Sequence, residues 1–315
     1  MAAEAEQDIA LIRYTVERNY AGWRLDAYLC QKIRRATLER VREIIERDLV
    51  YERPLTCATP VWPGLTFELR RRVRAEPSVP GPEALAEVFL DDALLVVNKP
   101  AGLPIHPTAR YFHNTLVEQL KHLYGFRADP AHRLDRETSG LVVCARTPEA
   151  SARLMRRFAE GAVKKQYLAV VEGRVPEDFT VDAPIADGTA LIRIAVRIDP
   201  GGKPARTRFV VERRFTRDGA DFSLLRCFPE TGRQHQIRVH LQHAGFPLVG
   251  DKMYGPDPGY FDRFSRHALE PEAWVRLRLP RQALHAAVLE LTHPVTGAWC
   301  TFEAPLADDL AAFLS

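Results

Sequence analysis

Residues 132–145, HRLDRETSGLVVCA, pass from a short charged loop into a glycine-led, β-branched apolar run. Such a run, bounded by polar turn residues, reads as a buried strand. Comparable runs follow on either side from Val88 onward: VFL, LLVVN, KQYLAVVEG, LIRIAVRI, ARTRFVVERRF and DFSLLRCF. Several are separated by turns as short as Asp91 and Asp92, or Gly201 and Gly202. Connections of that length cannot hold the crossover helices of a repeating βαβ pattern, so a mixed, mostly antiparallel sheet is expected. Helices are fewer, and are predicted from Asn114 to Tyr124, from Thr147 and Pro148 onward, from Arg233 to Ala244 with Gly245 as stop, and at the C-terminus. The fold class is therefore α+β, with helices flanking a large sheet.

Upstream the pattern changes. Leu25, Tyr28, Leu29 and Ile33 recur at helical spacing, and Leu38, Val41, Ile44 and Ile45 follow Thr37 as N-cap. Short strands follow at 49–51 and 65–69, around a Pro63–Gly64 turn. The expected organisation is a small α/β module at 13–74, a proline-rich linker at 75–87 and a large domain at 88–315.

The 315 residues are 46% hydrophobic and 27% charged, the balance of a folded globular protein rather than a disordered or fibrous one. No apolar stretch approaches the roughly 18 residues of a spanning helix, and the opening MAAEAEQD lacks a signal-peptide layout, so no membrane association and a cytoplasmic location are expected. Cys30, Cys57, Cys144, Cys227 and Cys300 are odd in number and lie far apart, which excludes a disulfide framework or a zinc-ribbon spacing. Net charge is +3, yet residues 13–74 carry 14 Lys and Arg against 8 Asp and Glu. A basic module on a near-neutral body suits a polyanion-binding protein, and equally a solvated basic face.

Within 132–145, Asp135 stands between Arg133 and Arg136. A carboxylate among guanidinium groups stays ionised, ready to act as nucleophile or base, although the same cluster also describes a structural ion-pair network. In PETGRQHQIRVHLQHAGFPLVGDKMYG, residues 229–255, a Thr231–Gly232 turn leads into a predicted helix that puts Arg233 and Ile237 on one face. His235, His240 and His243 there lack carboxylate or thiolate neighbours at ligand spacing, so no metal is expected. Neither a dinucleotide fingerprint nor a phosphate loop is present, so no cofactor is expected either.

These stretches resemble the RluA-type pseudouridine synthases. The family's H-R-L-D-x-x-T-S-G-L is His132 to Leu141, and its T-G-R-x-H-Q-I-R-x-H is Thr231 to His240, followed by G-x-P-L-x-G-D-x-x-Y-G from Gly245 to Gly255. VVNKPAGLPIHP at 96–107, K-x-Y-x-A at Lys165 to Ala169, RQALHA at 281–286 and HPVTG at 293–297 complete the ordered set. Residues 20–72 resemble the alpha-L RNA-binding domain through R-L-D at Arg24 to Asp26 and P-G-x-x-x-x-L at Pro63 to Leu69. They depart from it at Ala36 and Thr37 and in LVYERP.

The resemblance implies a monomeric enzyme that converts uridine to pseudouridine in ribosomal or transfer RNA. It makes Asp135 the essential carboxylate, either attacking C1′ or removing a proton from C2′. It implies that Tyr167 stacks on the target base and that its hydroxyl handles the C5 proton, and that Arg233 pairs with Asp135. Arg133 either fills the gap left by the flipped uridine or contacts phosphate, and His132, Ile237 and Leu141 border the substrate, with core packing the alternative for Ile237 and Leu141. Two rival classes are a retaining glycosidase using Asp135 with Glu137 or Glu230, and a catalytically silent RNA-binding protein.

Overall fold

The computed structural model describes residues 9–33, 36–72, 76–108, 111–126, 128–188 and 194–315. The opening MAAEAEQD, Arg34 and Arg35, residues 73–75 and the first part of the expected strand LIRIAVRI lie outside them. The chain divides into two units, Met1–Glu76 and Pro77–Ser315.

In the first unit β1 (Ile9–Thr15), α1 (Leu25–Lys32), α2 (Leu38–Asp48), β2 (Leu49–Val50) and β3 (Thr66–Arg72) form an antiparallel sheet, order β1-β3-β2, with two helices. Thr37 caps α2 by accepting from the Arg40 N–H, at 3.3 Å. The helical spacing seen in sequence brings Leu25, Tyr28, Leu29, Val41 and Ile45 together over Leu65, Phe67 and Leu69. Strand β1 was not expected. Asp26 is almost fully buried, and it is held ionised by Arg24 and Arg42, with its pKa drawn down to about 2.

The second unit contains β4 (Ala86–Leu90), β5 (Leu94–Lys99), α3 (Leu116–Tyr124), β6 (Asp129–Pro130), β7 (Ser139–Ala145), α4 (Pro148–Ala159) and β8 (Lys164–Glu172). After these come β9 (Phe179–Asp182), β10 (Ile185–Asp187), β11 (Val196–Ile198), β12 (Arg206–Arg217), β13 (Ala220–Pro229) and α5 (Gln236–His243). The chain closes with α6 (Tyr260–Ser265), α7 (Pro271–Leu277), β14 (Leu284–Thr292), β15 (Trp299–Glu303) and α8 (Asp308–Leu314).

Ten strands form the main sheet, in the order β4-β5-β7-β14-β8-β13-β12-β9, with β15 on β14 and β6 on β7. Among the described residues the only parallel pairing in it is β7 with β14. The class is α+β. The central strands are covered on both faces, which is why they read as unbroken apolar runs. Leu94, Val96, Leu141 and Val143 face α4, while Leu95, Val97, Val142 and Cys144 face α3.

Two close approaches fix the geometry near the loop before β7. Gly140 sits at φ +112°, opposite Ala286 of β14, and a Cβ there would lie 2.2 Å from the Ala286 carbonyl oxygen. Gly250 sits at φ +75°, and a Cβ there would lie 1.9 Å from the Arg281 carbonyl oxygen. Only glycine fits either place. The proline-rich segment is not wholly a free spacer. Asn114 and Gln119 donate to the carbonyls of Pro77 and Pro80, and Ala86 already opens β4, so its later part belongs to the second unit.

Candidate active site

The loop carrying Asp135 is held from below by Lys99. This lysine is fully buried at the end of β5 and donates to the carbonyls of Pro100 (2.8 Å), Leu103 (2.9 Å) and Arg136 (3.2 Å). Burial and then the nearby Arg281 push its ammonium down to about 7, against the pull of Asp135. The Gly102 N–H also donates to the Arg136 carbonyl, at 2.8 Å, so the end of β5 and the turn after it together pin the Asp135 loop. The turn closes on itself through the Thr138 N–H to the Asp135 carbonyl, at 3.1 Å.

So held, Asp135 borders a cavity of about 700 Å³ together with Arg133, Tyr167, His235, Ile237 and Arg238. Arg238 donates to its Oδ2 from Nη1 at 2.9 Å, and Gln282 donates to the same oxygen at 3.2 Å. Burial works to raise the Asp135 pKa, but the Arg238 charge and these hydrogen bonds outweigh it and hold the carboxyl below its ordinary value. It is therefore an anion at neutral pH, one that retains an open side toward the cavity.

Arg238 does not depend on Asp135 for its position. Its Nε and Nη2 form a fork onto Asp251, at 2.7 and 2.8 Å, and Asp251 is fully buried and also accepts from the Met253 and Tyr254 N–H groups. A planar guanidinium anchored along one edge has its remaining nitrogen aimed by geometry. The ring of Tyr254 lies under it, 4.9 Å away. The order of aim is thus Asp251, then Arg238, then Asp135.

The sequence expectation that Arg233 is the partner of Asp135 is corrected here. Arg233 is exposed at the cavity's edge and donates to the Pro204 carbonyl at 3.1 Å. The reason is backbone geometry. His235 stands at φ +52° as the N-cap of α5, so the helix starts at Gln236, and Arg233 lies in the preceding turn. The helix therefore presents Arg238, five residues on, where a helix running from Arg233 would have presented a different face. The αL residue is itself notable, since such backbone is uncommon outside glycine and clusters at functional sites. His235 Nε2 lies 3.6 Å from Asp135 Oδ1, its Nδ1 lies 2.9 Å from the Tyr254 hydroxyl, and burial pushes its pKa down to about 4. It is a neutral imidazole.

Tyr167, on β8, reaches the cavity from the sheet floor. Burial first, and the Asp135 charge second, push its phenol well above the usual range, so it stays protonated. His132 lines the cavity but has structural work: its ring stacks on Phe158 at 4.9 Å and its Nε2 accepts from the Val143 N–H. Burial drives its pKa down to about 3. Ile237 lines the cavity and packs into the core below it. Leu141 is corrected as a substrate neighbour: it is fully buried among Val143, Leu154 and Leu289, because the alternation of β7 turns it to the α4 face. Arg133 is exposed at the cavity mouth. Arg136 turns away, onto the Tyr111 hydroxyl and Glu137.

Sequence reasoning missed Arg238, Asp251, Gln282, His235 and Lys99. All five fall inside the quoted motifs, so the motifs located the site while their spacing could not tell which members touch Asp135. His240 is engaged with Thr207 and the Ala183 carbonyl, away from His235. Among the described residues no group of three His, Cys, Asp or Glu could hold a metal ion, and no helix is long and apolar enough to cross a membrane.

Residues 93–243 match the family model described as RNA pseudouridylate synthase. The ribosomal large subunit pseudouridine synthase D of Nitrosomonas europaea is 40% identical, over 99% of this chain and 90% of that protein. Its namesake from Escherichia coli O6:H1 is 34% identical, over 95% of this chain and 92% of that protein. Among solved structures, human RNA pseudouridylate synthase domain containing 1 aligns with TM-score 0.60 and 28% identity, over 75% of this chain and 90% of that one.

Proposed function

This chain belongs to the RNA pseudouridylate synthase family and is an isomerase that makes pseudouridine in RNA, and from that premise we propose that Asp135 is its essential carboxylate and ribosomal RNA its substrate. The reaction breaks the bond from ribose C1′ to N1, turns the uracil and joins C5 to C1′. Atoms balance without oxidant or donor group. An ionised carboxylate beside the sugar serves either route, attack on C1′ or removal of the C2′ proton. The observation that carries the assignment is that Asp135 is kept anionic and aimed into a 700 Å³ cavity by a guanidinium that is itself fixed elsewhere.

Tyr167 forms one wall, on which the flipped uracil stacks. As a phenol held protonated, it takes up the C5 proton only while giving up its own. Arg238 keeps Asp135 ionised and oriented, the role the resemblance had given Arg233. Arg133, at the mouth, either fills the place the uridine vacates or contacts phosphate. Ribosomal RNA is favoured over transfer RNA by the names of the full-length relatives. In this reading the enzyme works as a monomer in the cytoplasm, and its five free cysteines suit a reducing compartment.

The N-terminal unit supplies RNA capture. Many of its basic groups are already paired: Arg13 with Glu68, Lys32 with Glu17, Arg40 with Glu43 and Arg47 with Asp48. Among the described residues Arg18, Arg53 and Arg70 are without a carboxylate partner and are the ones placed to meet phosphate. The test is a map of pseudouridines across all cellular RNA in a deletion strain carrying either the wild-type gene or Asp135→Asn. The expected result is loss of specific ribosomal RNA sites, restored by wild type alone. Loss confined to transfer RNA would overturn the substrate, and restoration by Asp135→Asn would overturn the residue.

A further inference from the structure

Helix α4 separates two different surfaces. Its inner side, through Ala150, Leu154 and Phe158, packs on the sheet. Its outer side carries Arg153, Arg156 and Arg157, which with the 293–298 turn line a groove of about 490 Å³. Among the described residues none of these three arginines has a carboxylate in ion-pair range. Unneutralised guanidinium groups gathered in one groove make a local positive field. Arg153 is steadied by the Pro294 carbonyl, so one wall of the groove is tied to the other.

The groove adjoins the active-site cavity. Glu160, just after α4, borders both it and the cavity that holds Asp135. Val295, on the wall formed by the turn, is 61% exposed, and Trp299, which follows that turn outside the groove's lining, is 53% exposed with the Lys164 ammonium 5.4 Å over its ring. Unpaired cations along an open groove match a single polynucleotide strand, whose phosphates take the charge.

We propose that this groove seats the strand of substrate RNA leading away from the target uridine, with Arg156 and Arg157 on its phosphates. The proposal rests on the reading of the chain as an RNA-modifying enzyme. Binding here is remote from C1′, so it governs capture rather than the chemical step.

The test uses the full chain with an unmodified ribosomal RNA transcript, comparing wild type, Arg156→Gln/Arg157→Gln and Arg156→Lys/Arg157→Lys over a range of salt. For the Gln pair KM rises about tenfold, kcat stays within about twofold, and the slope of log KM against log salt becomes shallower by about 1.4, from two contacts at roughly 0.7 each for single strands. The Lys pair, which keeps the charge, stays close to wild type. An unchanged salt slope, or an equal loss in the Lys pair, overturns the proposal. Filter binding of the same transcript reads the groove separately, so a wild-type enzyme that binds but forms no pseudouridine would indict the enzymatic reading instead.

Discussion

Replacing Arg238 by lysine separates the two arginines of the 231–240 segment. The guanidinium makes three charge-assisted hydrogen bonds, two to Asp251 and one to Asp135. An ammonium keeps the charge but loses the fork. Fully buried Asp251 cannot be left alone at tolerable cost, so the lysine goes to it, and Asp135 loses its cation. One lost charge-assisted hydrogen bond is worth about 1.5–3 kcal/mol. The lost Coulomb attraction at about 4 Å is at most about 4 kcal/mol at an effective dielectric of about 20. A barrier rise of about 2–4 kcal/mol lowers kcat about 30- to 1000-fold. The pH profile carries a second sign: Asp135 acts ionised and its pKa is held low by Arg238, so in the variant the acid limb of kcat/KM moves to higher pH. Single-turnover pseudouridine formation on an RNA transcript measures both. Arg233→Ala, beside it, stays within about threefold, because Arg233 touches only a backbone carbonyl. Equal losses in the two variants, or an acid limb that does not move, would refute the aim from Asp251 through Arg238.

Gly140→Ala meets both a left-handed φ and a backbone oxygen at 2.2 Å, and urea denaturation should show at least about 3 kcal/mol of lost stability; a loss under about 1 kcal/mol would mean that β7 and β14 are more loosely joined than they stand. Asp251 and Asp135 have folded pKa values below their ordinary ones, so their contribution is complete above the unfolded value of about 3.9 and disappears as pH falls through the folded values. Urea midpoints of wild type should accordingly fall more steeply below about pH 4 than those of Asp251→Asn, and parallel curves would contradict it. Removing residues 1–76 should leave a cooperatively unfolding protein with kcat within about threefold. Its salt slope should be shallower by about two, from Arg18, Arg53 and Arg70, the unpaired arginines among the described residues, at roughly 0.7 each, and an unchanged slope would assign the N-terminal charge to solvent.

The sheet was legible because burial leaves a pattern. LLVVN and GLVVCA are covered on both faces and read as solid apolar runs, whereas β13 alternates over its second half. What stayed hidden depends on distant pairing. Nothing local announces that β7 and β14 run parallel, since that register is set by Gly140 against Ala286 across the fold. Helices α6 and α7 are short and bury little, although Pro271 at the start of α7 was a usable signal. At the site, Asp135 and Tyr167 were legible from their motifs and do share the cavity. The choice of arginine was not, because it turns on one left-handed residue, His235, that shortens the helix by a turn. Asp251 stood only as one position of the Gly245 to Gly255 element, and its buried fork with Arg238 has no sequence signature.

Purified Asp135→Asn, compared with wild type for pseudouridine formed in one turnover at saturating RNA, isolates the carboxylate itself. The amide keeps the shape and the Gln282 and Arg238 neighbours but can neither attack C1′ nor take the C2′ proton. RNA affinity within about threefold of wild type, with isomerisation lowered by at least about 10⁴-fold, is the expected result. Turnover within tenfold of wild type would contradict it and remove Asp135 from the chemistry.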